Sequence, residues 1–542
     1  MSGLRFNSAL TGAILFFFAG QALSVEVTEA WVARYNGDGN QDDKPAAVLP
    51  DGNGGCIVTG RSMGNGSADD YCTINYAAAG EELWVSRFAS SPGYVFDWAW
   101  DMAPLGEGGV CVTGCCRFSQ NVHSWDIGTL RYDDGGDTEW MAFFEGPDDC
   151  NDFGLCVAAD EEGNVYVAGN SDDGTGNDFL VVKYNASGLQ LWTAVYNGTG
   201  QGEPVAMALD GDGNVLVTGG ISYGNGSNFA TVKFSGGGQF LWAAVFDNPE
   251  GGVEEPTAIA VDAEGNSYVT GSTGSPTTGY DYATVSYSPE GDLRWEAFYG
   301  STYGSGCAND IALDGSGNVY VTGSSGYSNK NFVTVSYNND GEERWVSQFD
   351  GPVSGYDCAV ALALDVFGNV FVTGYCKAYS TGYDFATVGY DSSSGQELWS
   401  AMYEGPYSND DQPADIAVDD SGNLFVTGYS HGGGTYLDYA TIKYVYSTSV
   451  DDGETLLDSG LRISPNPVVS ACTMVVAVSR PVQCRVCVFG LDGRLVEQVF
   501  SGMLSSGEHA FQWIPSGAPS GVYLVRVSAG DTEETARMVV LR

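Results

Sequence analysis

The sequence predicts an all-β chain: an eight-bladed β-propeller, with seven blades as the alternative count, followed by a small immunoglobulin-like β-sandwich. Three observations predict it. One strand-and-turn text recurs eight times, each copy carries one tryptophan, and the end of the chain abandons the repeat for alternating apolar strands. Length and composition agree. At 542 residues the chain exceeds a single hydrophobic core, which stops growing near about 250–300 residues. Its 76 Gly, 31 Tyr and 25 Phe suit short strands joined by tight turns.

Residues 1–24 read as a secretory signal. Arg5 gives the positive start, Ala9 to Phe18 an apolar run too short to span a bilayer, and the small residues at Ala22 and Ser24 a cleavage site. No other segment reads as a membrane helix, so the expected location is secreted, extracellular or at the outer cell surface. Export permits disulfides, although thirteen cysteines cannot all pair internally.

The repeat occupies residues 25–446. Its clearest copy, "DGDGNVLVTG" from Asp210 to Gly219, returns in variant form with final glycines at 60, 114, 169, 219, 271, 323, 374 and 428, a spacing of 50 to 55 residues. Each unit supplies four strands: a ("AIAVD"-like), b ("NVYVTG"-like), c ("DYATVSY"-like) and d, which holds the tryptophan. Those tryptophans are Trp31, Trp84, Trp140, Trp192, Trp242, Trp295, Trp345 and Trp399. A four-stranded period near 50 residues is the signature of propeller blades. The array begins on a d strand at Trp31 and ends on a c strand at Tyr444, so the N-terminus is expected to complete the last blade and remove its open edge.

The text "D…GN.YVTG…DYATVKY…G…W" over residues of about 31 to 444 resembles the bacterial SBBP-type beta-propeller repeat. After a polar linker at 447–460, residues 461–542 carry "SPNP", "GLDGRLV", "SGVYLVRV" and a terminal "RMVVLR". These motifs resemble, in order, the type A C-terminal sorting domain of the type IX secretion system; alternating strands with "DG" and "SG" turns independently argue a β-sandwich. The resemblance implies passage across an outer membrane, with the secretion machinery as a partner.

Charge and chemistry narrow the function. A formal net charge of −48 repels nucleic acid and leaves cations, cationic partners or neutral glycans. Asp210 and Asp212 resemble the start of a calcium loop, but Val215 stands where an EF-hand needs glycine. Asp210 recurs and Asp212 does not, which favours a type I turn capped by Asp and closed by a left-handed Gly. "DSSSGQELW" and "AAAGEELW" look like the docking motif of eight-bladed quinoproteins, and Cys115 and Cys116 form a vicinal pair. No quinone-ligand constellation accompanies them, so a quinoprotein-like dehydrogenase is the remote alternative.

His123, His431 and His509 lack a nucleophile elbow. "CRVC" at Cys484 to Cys487 lacks the partners of a zinc site. Cys358 and Cys376 are read as facing positions at the open end of one a–b hairpin, where geometry would allow a disulfide, with the connectivity of the cysteines left open.

Alternation of strands puts the a–b and c–d turns at one end of the propeller and the variable b–c loops and d–a crossovers at the other. The variable end carries aromatic candidates for sugar or protein contact: Trp125, Tyr223, Tyr280, Tyr327, Tyr379 and Tyr436. Its crossovers hold Asp42, Asp97, Asp152, Glu203, Glu255, Asp357 and Asp411, read as a cation funnel with calcium as its candidate ion and capping of the crossovers as the alternative use. No cofactor is expected beyond that calcium. The expected function is non-catalytic binding or scaffolding of a glycan or protein on this face. An extracellular glycosidase or lyase using its carboxylates is the alternative.

Overall fold

A computed structural model describes residues 24–65, 68–90, 95–117, 124–146, 150–172, 176–198, 201–223, 226–248, 252–275, 279–300, 304–366, 368–379, 382–433, 436–449, 461–478, 481–490, 494–505, 507–515, 518–529 and 532–541. The expected signal lies almost wholly outside these residues, as does most of the linker. Among them no helix is long and apolar enough to cross a membrane. The chain divides into two compact units, residues 28–445 and a second unit dominated by the C-terminal residues.

The larger unit is built of eight four-stranded antiparallel sheets. Seven follow chain order a-b-c-d; sheet one, for example, is Asp43–Pro50, Cys56–Met63, Asp69–Tyr76 and Glu82–Phe88. Sheet eight takes Gln412–Val418, Leu424–His431 and Leu437–Ser449 from the end of the array and Ser24–Tyr35 from the N-terminus as its outermost strand. The chain therefore completes its last sheet as the break in the repeat implied. Each a strand touches the a strand of the next sheet, and that of sheet eight touches that of sheet one. This arrangement fits a β-propeller.

Local chemistry explains the repetition. In the turn at Asp210, carboxylate Oδ1 accepts the amides of Asp212 at 3.0 Å and Asn214 at 2.8 Å, while Oδ2 accepts Asn214 Nδ2 at 2.8 Å. Gly213 closes the turn at φ +74°, a conformation that costs glycine nothing. Lys233 Nζ reaches Asp210 Oδ2 at 2.9 Å with both side chains buried; against the upward push of burial, the Asn214 side-chain bond and then the Lys233 ammonium hold the Asp210 carboxyl below its ordinary range. Asp210 is thus consumed by a turn. The same Asp–Asn bracket recurs at Asp160, Asp262, Asp314, Asp365 and Asp419.

Sheets pack through the tryptophans. Trp31, Trp84, Trp140, Trp192, Trp242, Trp295 and Trp345 each donate Nε1–H to a backbone carbonyl on the c–d turn of the following sheet, at 2.8 to 3.2 Å. A turn glycine lies flat on each indole: a Cβ on Gly238 would stand 2.7 Å from Trp192 Cδ2. The indoles fill the space between sheets, as expected of large aromatic side chains with one polar handle.

All eight a strands contain a one-residue register shift. Beyond it, Asp101, Asp310 and Asp415 occupy the position opposite a buried threonine of strand b.

Cys358 pairs across the ladder with Tyr375, and Cys376 with Asp384. Consecutive strand residues point to opposite faces, so Cys358 and Cys376 do not meet and that disulfide is not formed. None of the thirteen cysteines is disulfide-bonded. Cys115 and Cys116, also consecutive and buried in strand Val110–Cys116, diverge for the same reason.

In the C-terminal unit, Arg462–Ser464, Cys472–Val478 and Gly507–Trp513 form one sheet. Leu495–Leu504, Val482–Gly490, Gly521–Ala529 and Thr532–Val540 form another. Met474, Val476, Val486, Trp513, Val525 and Met538 belong to its buried core. The "SPNP" segment is pinned to the last strand: Asn466 Oδ1 accepts Val539 N–H at 2.9 Å and its Nδ2 donates to Arg537 O at 2.8 Å.

Candidate functional site

The b–c loops and d–a crossovers share one end of the larger unit, and four of the seven crossover acids are spent there on backbone amides. Asp97 accepts Ser90 N–H at 2.7 Å and Arg117 N–H at 3.3 Å. Asp152 accepts Gly146 N–H at 2.6 Å. Asp357 accepts Gly351 and Lys377 N–H at 2.8 and 2.9 Å, and Asp411 accepts Gly405 and His431 N–H at 2.7 and 3.2 Å. Each carboxylate fastens the crossover before it to the end of strand b. Burial pushes their carboxyl pKa values up, to about 6 for Asp152, against the lowering effect of the amides.

The remaining three acids, Asp42, Glu203 and Glu255, are exposed. Their structural counterparts lie one residue away. Asp43 accepts Gly37 and Met63 N–H at 2.7 and 3.2 Å, Glu254 is buried against Thr273, and sheet four has Gly202 there. The seven predicted acids do not form one group, and no cluster of three or more His, Cys, Asp or Glu is placed to hold a metal among the described residues.

The predicted aromatic residues divide into two sectors. Trp125 lies in the sector of sheets one to three, with ring centroids 5.2 Å from Trp98 and 6.3 Å from Phe153; Trp100 is 5.7 Å from Phe153. Guanidinium groups cover two of these rings, Arg61 at 4.7 Å from Trp98 and Arg117 at 4.6 Å from Trp125. Arg61 also pairs with Asp69 at 3.4 Å, whose other contact is Trp98 Nε1–H at 2.9 Å. These rings and cations largely satisfy one another.

Sheets five to eight differ. Tyr280, Tyr327, Tyr379 and Tyr436 are 37, 86, 84 and 57% exposed, and the crossovers add Tyr356 at 37% and Tyr407 at 46%. These six are all the exposed tyrosines among the described residues; the other tyrosines described there are at least half-buried or fill the core. Tyr223 ends a strand of sheet four, and its side chain lies outside the described residues.

Sequence reasoning also missed three lysines, two in this sector and Lys44 on the adjoining edge of sheet one. Lys330 Nζ lies 5.6 Å from the Tyr356 ring centre, Lys377 Nζ 4.8 Å from Tyr383, and Lys44 Nζ 5.2 Å from Tyr429. Each pair joins different strands or sheets, so neither repeat spacing nor local text announces it.

Several solved structures resemble this chain. Sqt1 from Chaetomium thermophilum is 10% identical, with a TM-score of 0.48 over 76% of this chain and 99% of that one. The polysaccharide lyase Uly1 is 11% identical, with a TM-score of 0.39 over 62% and 90%. A protein of unknown function from Dyadobacter fermentans is 9% identical, with a TM-score of 0.34 over 64% and 93%. No curated protein matches the chain. The family model for the SBBP type of beta-propeller repeat matches residues 249–276 and 399–434, so the chain carries beta-propeller repeats of that type.

Proposed function

We propose that the chain is an exported eight-bladed propeller that binds its ligand without catalysis, through the loop and crossover end of blades five to eight. An immunoglobulin-like C-terminal sorting domain delivers it to the cell surface or the medium. The observation that carries the reading is the segregation of tyrosine: every exposed one among the described residues stands on this end of four neighbouring sheets. Tyrosine gives large amphipathic contact area for little conformational entropy, which suits glycan or protein recognition. The carboxylates buried nearby accept backbone amides, a structural use rather than an acid–base one.

The test is a glycan and surface-extract binding screen with a turnover measurement. The expected result is saturable binding without turnover, lost in a Tyr327→Ala, Tyr379→Ala double variant that keeps the parent melting temperature. Turnover abolished by removing one carboxylate would overturn the non-catalytic reading. Deleting residues 461–542 in the native host should leave the propeller inside the cell envelope, and unimpaired export would overturn the sorting role.

A further inference from the structure

The lysines of the tyrosine sector point to the chemistry of its ligand. In the larger unit most of the other cations have partners within the fold: Lys183 and Lys233 pair with turn aspartates, Lys443 donates to Gly54 O at 2.7 Å, and Arg34 and Arg87 donate to hydroxyls, carbonyls and aspartates. Lys44, Lys330 and Lys377 depart from this. Among the described residues none has a carboxylate within 4.0 Å, and each ammonium rests only on a tyrosine ring.

All three are half-buried, in a chain with 69 acidic residues against 21 basic ones. An ammonium carries three donors, and a ring face offsets only part of their lost hydration. A chain with so many carboxylates has left three ammonium groups without one, on sheets six and seven and on sheet one beside sheet eight, along the sector that also gathers its exposed tyrosines.

We infer that this sector binds a linear acidic polysaccharide of the polyuronate class. The inference rests on the binding face proposed above and names its ligand. Sheets six and seven each present a lysine and an exposed tyrosine, Lys330 with Tyr327 and Lys377 with Tyr379; Tyr436 of sheet eight and Lys44 of sheet one continue the series. A repeating array fits a repeating polymer: tyrosine faces take pyranose rings, and the ammonium groups donate to the uronate carboxylates as charge-assisted hydrogen bonds. Exposed Asp42, Asp350, Glu404 and Asp410 lie in the same crossovers and oppose an anion. Physiological salt screens the more distant of the chain's exposed charges, beyond about 8 Å; against the nearer acids, and against the net charge of −48 that disfavours nucleic acid, the uronate contacts carry the binding.

Titration calorimetry on the full chain tests this with oligogalacturonate, its fully methyl-esterified form and poly-glutamate. The expected result is binding of oligogalacturonate, at least tenfold weaker binding of the ester, and no binding of poly-glutamate. Lys330→Gln and Lys377→Gln should each weaken uronate binding about tenfold, the loss of one charge-assisted bond, and leave ester binding unchanged. Equal binding of acid and ester would overturn the acidic class and leave the binding face standing. Binding of poly-glutamate alone would reassign the sector to acidic peptides. Failure of all three probes would overturn the inference, while the tyrosine variants in the broader screen judge the face itself.

Discussion

Asp415 Oδ2 accepts the backbone N–H of Val48 at 2.8 Å, joining the last inner strand of the array to the first across 367 residues of sequence. Its Oδ1 accepts Ile416 N–H at 2.8 Å. The same bracket occurs where Asp101 accepts Val157 and Met102 N–H, and where Asp310 accepts Leu362 and Ile311 N–H. An inner strand has no further strand to take its amides, and these aspartates take one from the next sheet instead.

These three aspartates are partly buried, and desolvation pushes their carboxyls up, Asp101 and Asp310 to about 6 and Asp415 to about 7. Asp310 and Asp101 raise Asp415 further, while the amides of Val48 and Ile416 lower it. A folded pKa above the unfolded value stabilises fully below the latter, about 3.9 for Asp, and that contribution is lost as pH rises through the folded pKa. The melting temperature is therefore expected to fall between about pH 4 and pH 7. Asp415→Asn should flatten that slope, whereas Asp212→Asn, an equal charge change on an exposed turn, should not. An unchanged slope in Asp415→Asn would show that this carboxyl does not titrate in the window.

Trp399 breaks the docking series. It belongs to sheet seven, and sheet eight has no c–d turn because its outer strand comes from the N-terminus. Its Nε1–H is buried without a hydrogen-bond partner among the described residues. Trp242, by contrast, donates to Pro289 O at 2.9 Å. Phenylalanine removes similar volume at both sites but a made hydrogen bond only at 242, so Trp242→Phe should cost about 1–2 kcal/mol more than Trp399→Phe. Chemical denaturation measures the difference, and equal losses would mean that the docking bond contributes nothing.

The strand plan was legible because it repeats: a glycine, a turn aspartate and a tryptophan recur at intervals short enough to count. The finer placement was not. Asp42 and Glu255 were read one residue away from Asp43 and Glu254, because crossover lengths vary and only the ladder register settles which side chain turns inward. Asp415 and Asp310 had a faint signal in "ADIAVD" and "NDIALD", an acid inside a strand of small apolar residues. Pairings such as Lys44 with Tyr429 join opposite ends of the array and leave no local trace.

The turn at Asp210 separates a structural acid from a spectator. Asp210→Ala removes a cap and strands buried Lys233, whose only other bond among the described residues is to Pro289 O at 3.1 Å. Breaking a buried pair costs about 3–5 kcal/mol. Asp212 is exposed, and its alanine variant should change stability by less than about 0.5 kcal/mol. Millimolar calcium should not shift the melting temperature of the parent protein; a calcium-induced rise in the parent that is lost in Asp212→Ala would restore a metal role to the turn.

Ring closure rests on an arginine of the N-terminal strand. Arg34 donates to Tyr403 Oη at 3.1 Å, Ser430 Oγ at 2.7 Å, the carbonyls of Ser430 and His431 at 3.0 Å, and Asp438 Oδ2 at 3.1 Å. Arg87 makes the equivalent set for sheet one, to Ser62 O and Asp70 Oδ2 within that sheet and to Tyr35 Oη of the closing strand. The difference lies in the covalent chain: strand Glu82–Phe88 follows strand c of its own sheet directly, whereas Ser24–Tyr35 has no covalent link to strand c of sheet eight and is held there by hydrogen bonds and by packing of Trp31, Ala33 and Tyr35 against Phe425 and Tyr439. Arg34→Ala should therefore speed amide exchange in residues 28–35 and in their partner strand Leu437–Ser449 well before global unfolding. Arg87→Ala, which costs the closing strand a single bond at Tyr35, should lower global stability by a similar amount with far less of that local opening. Exchange that rises uniformly in both variants would show that the closing strand opens only with the whole ring.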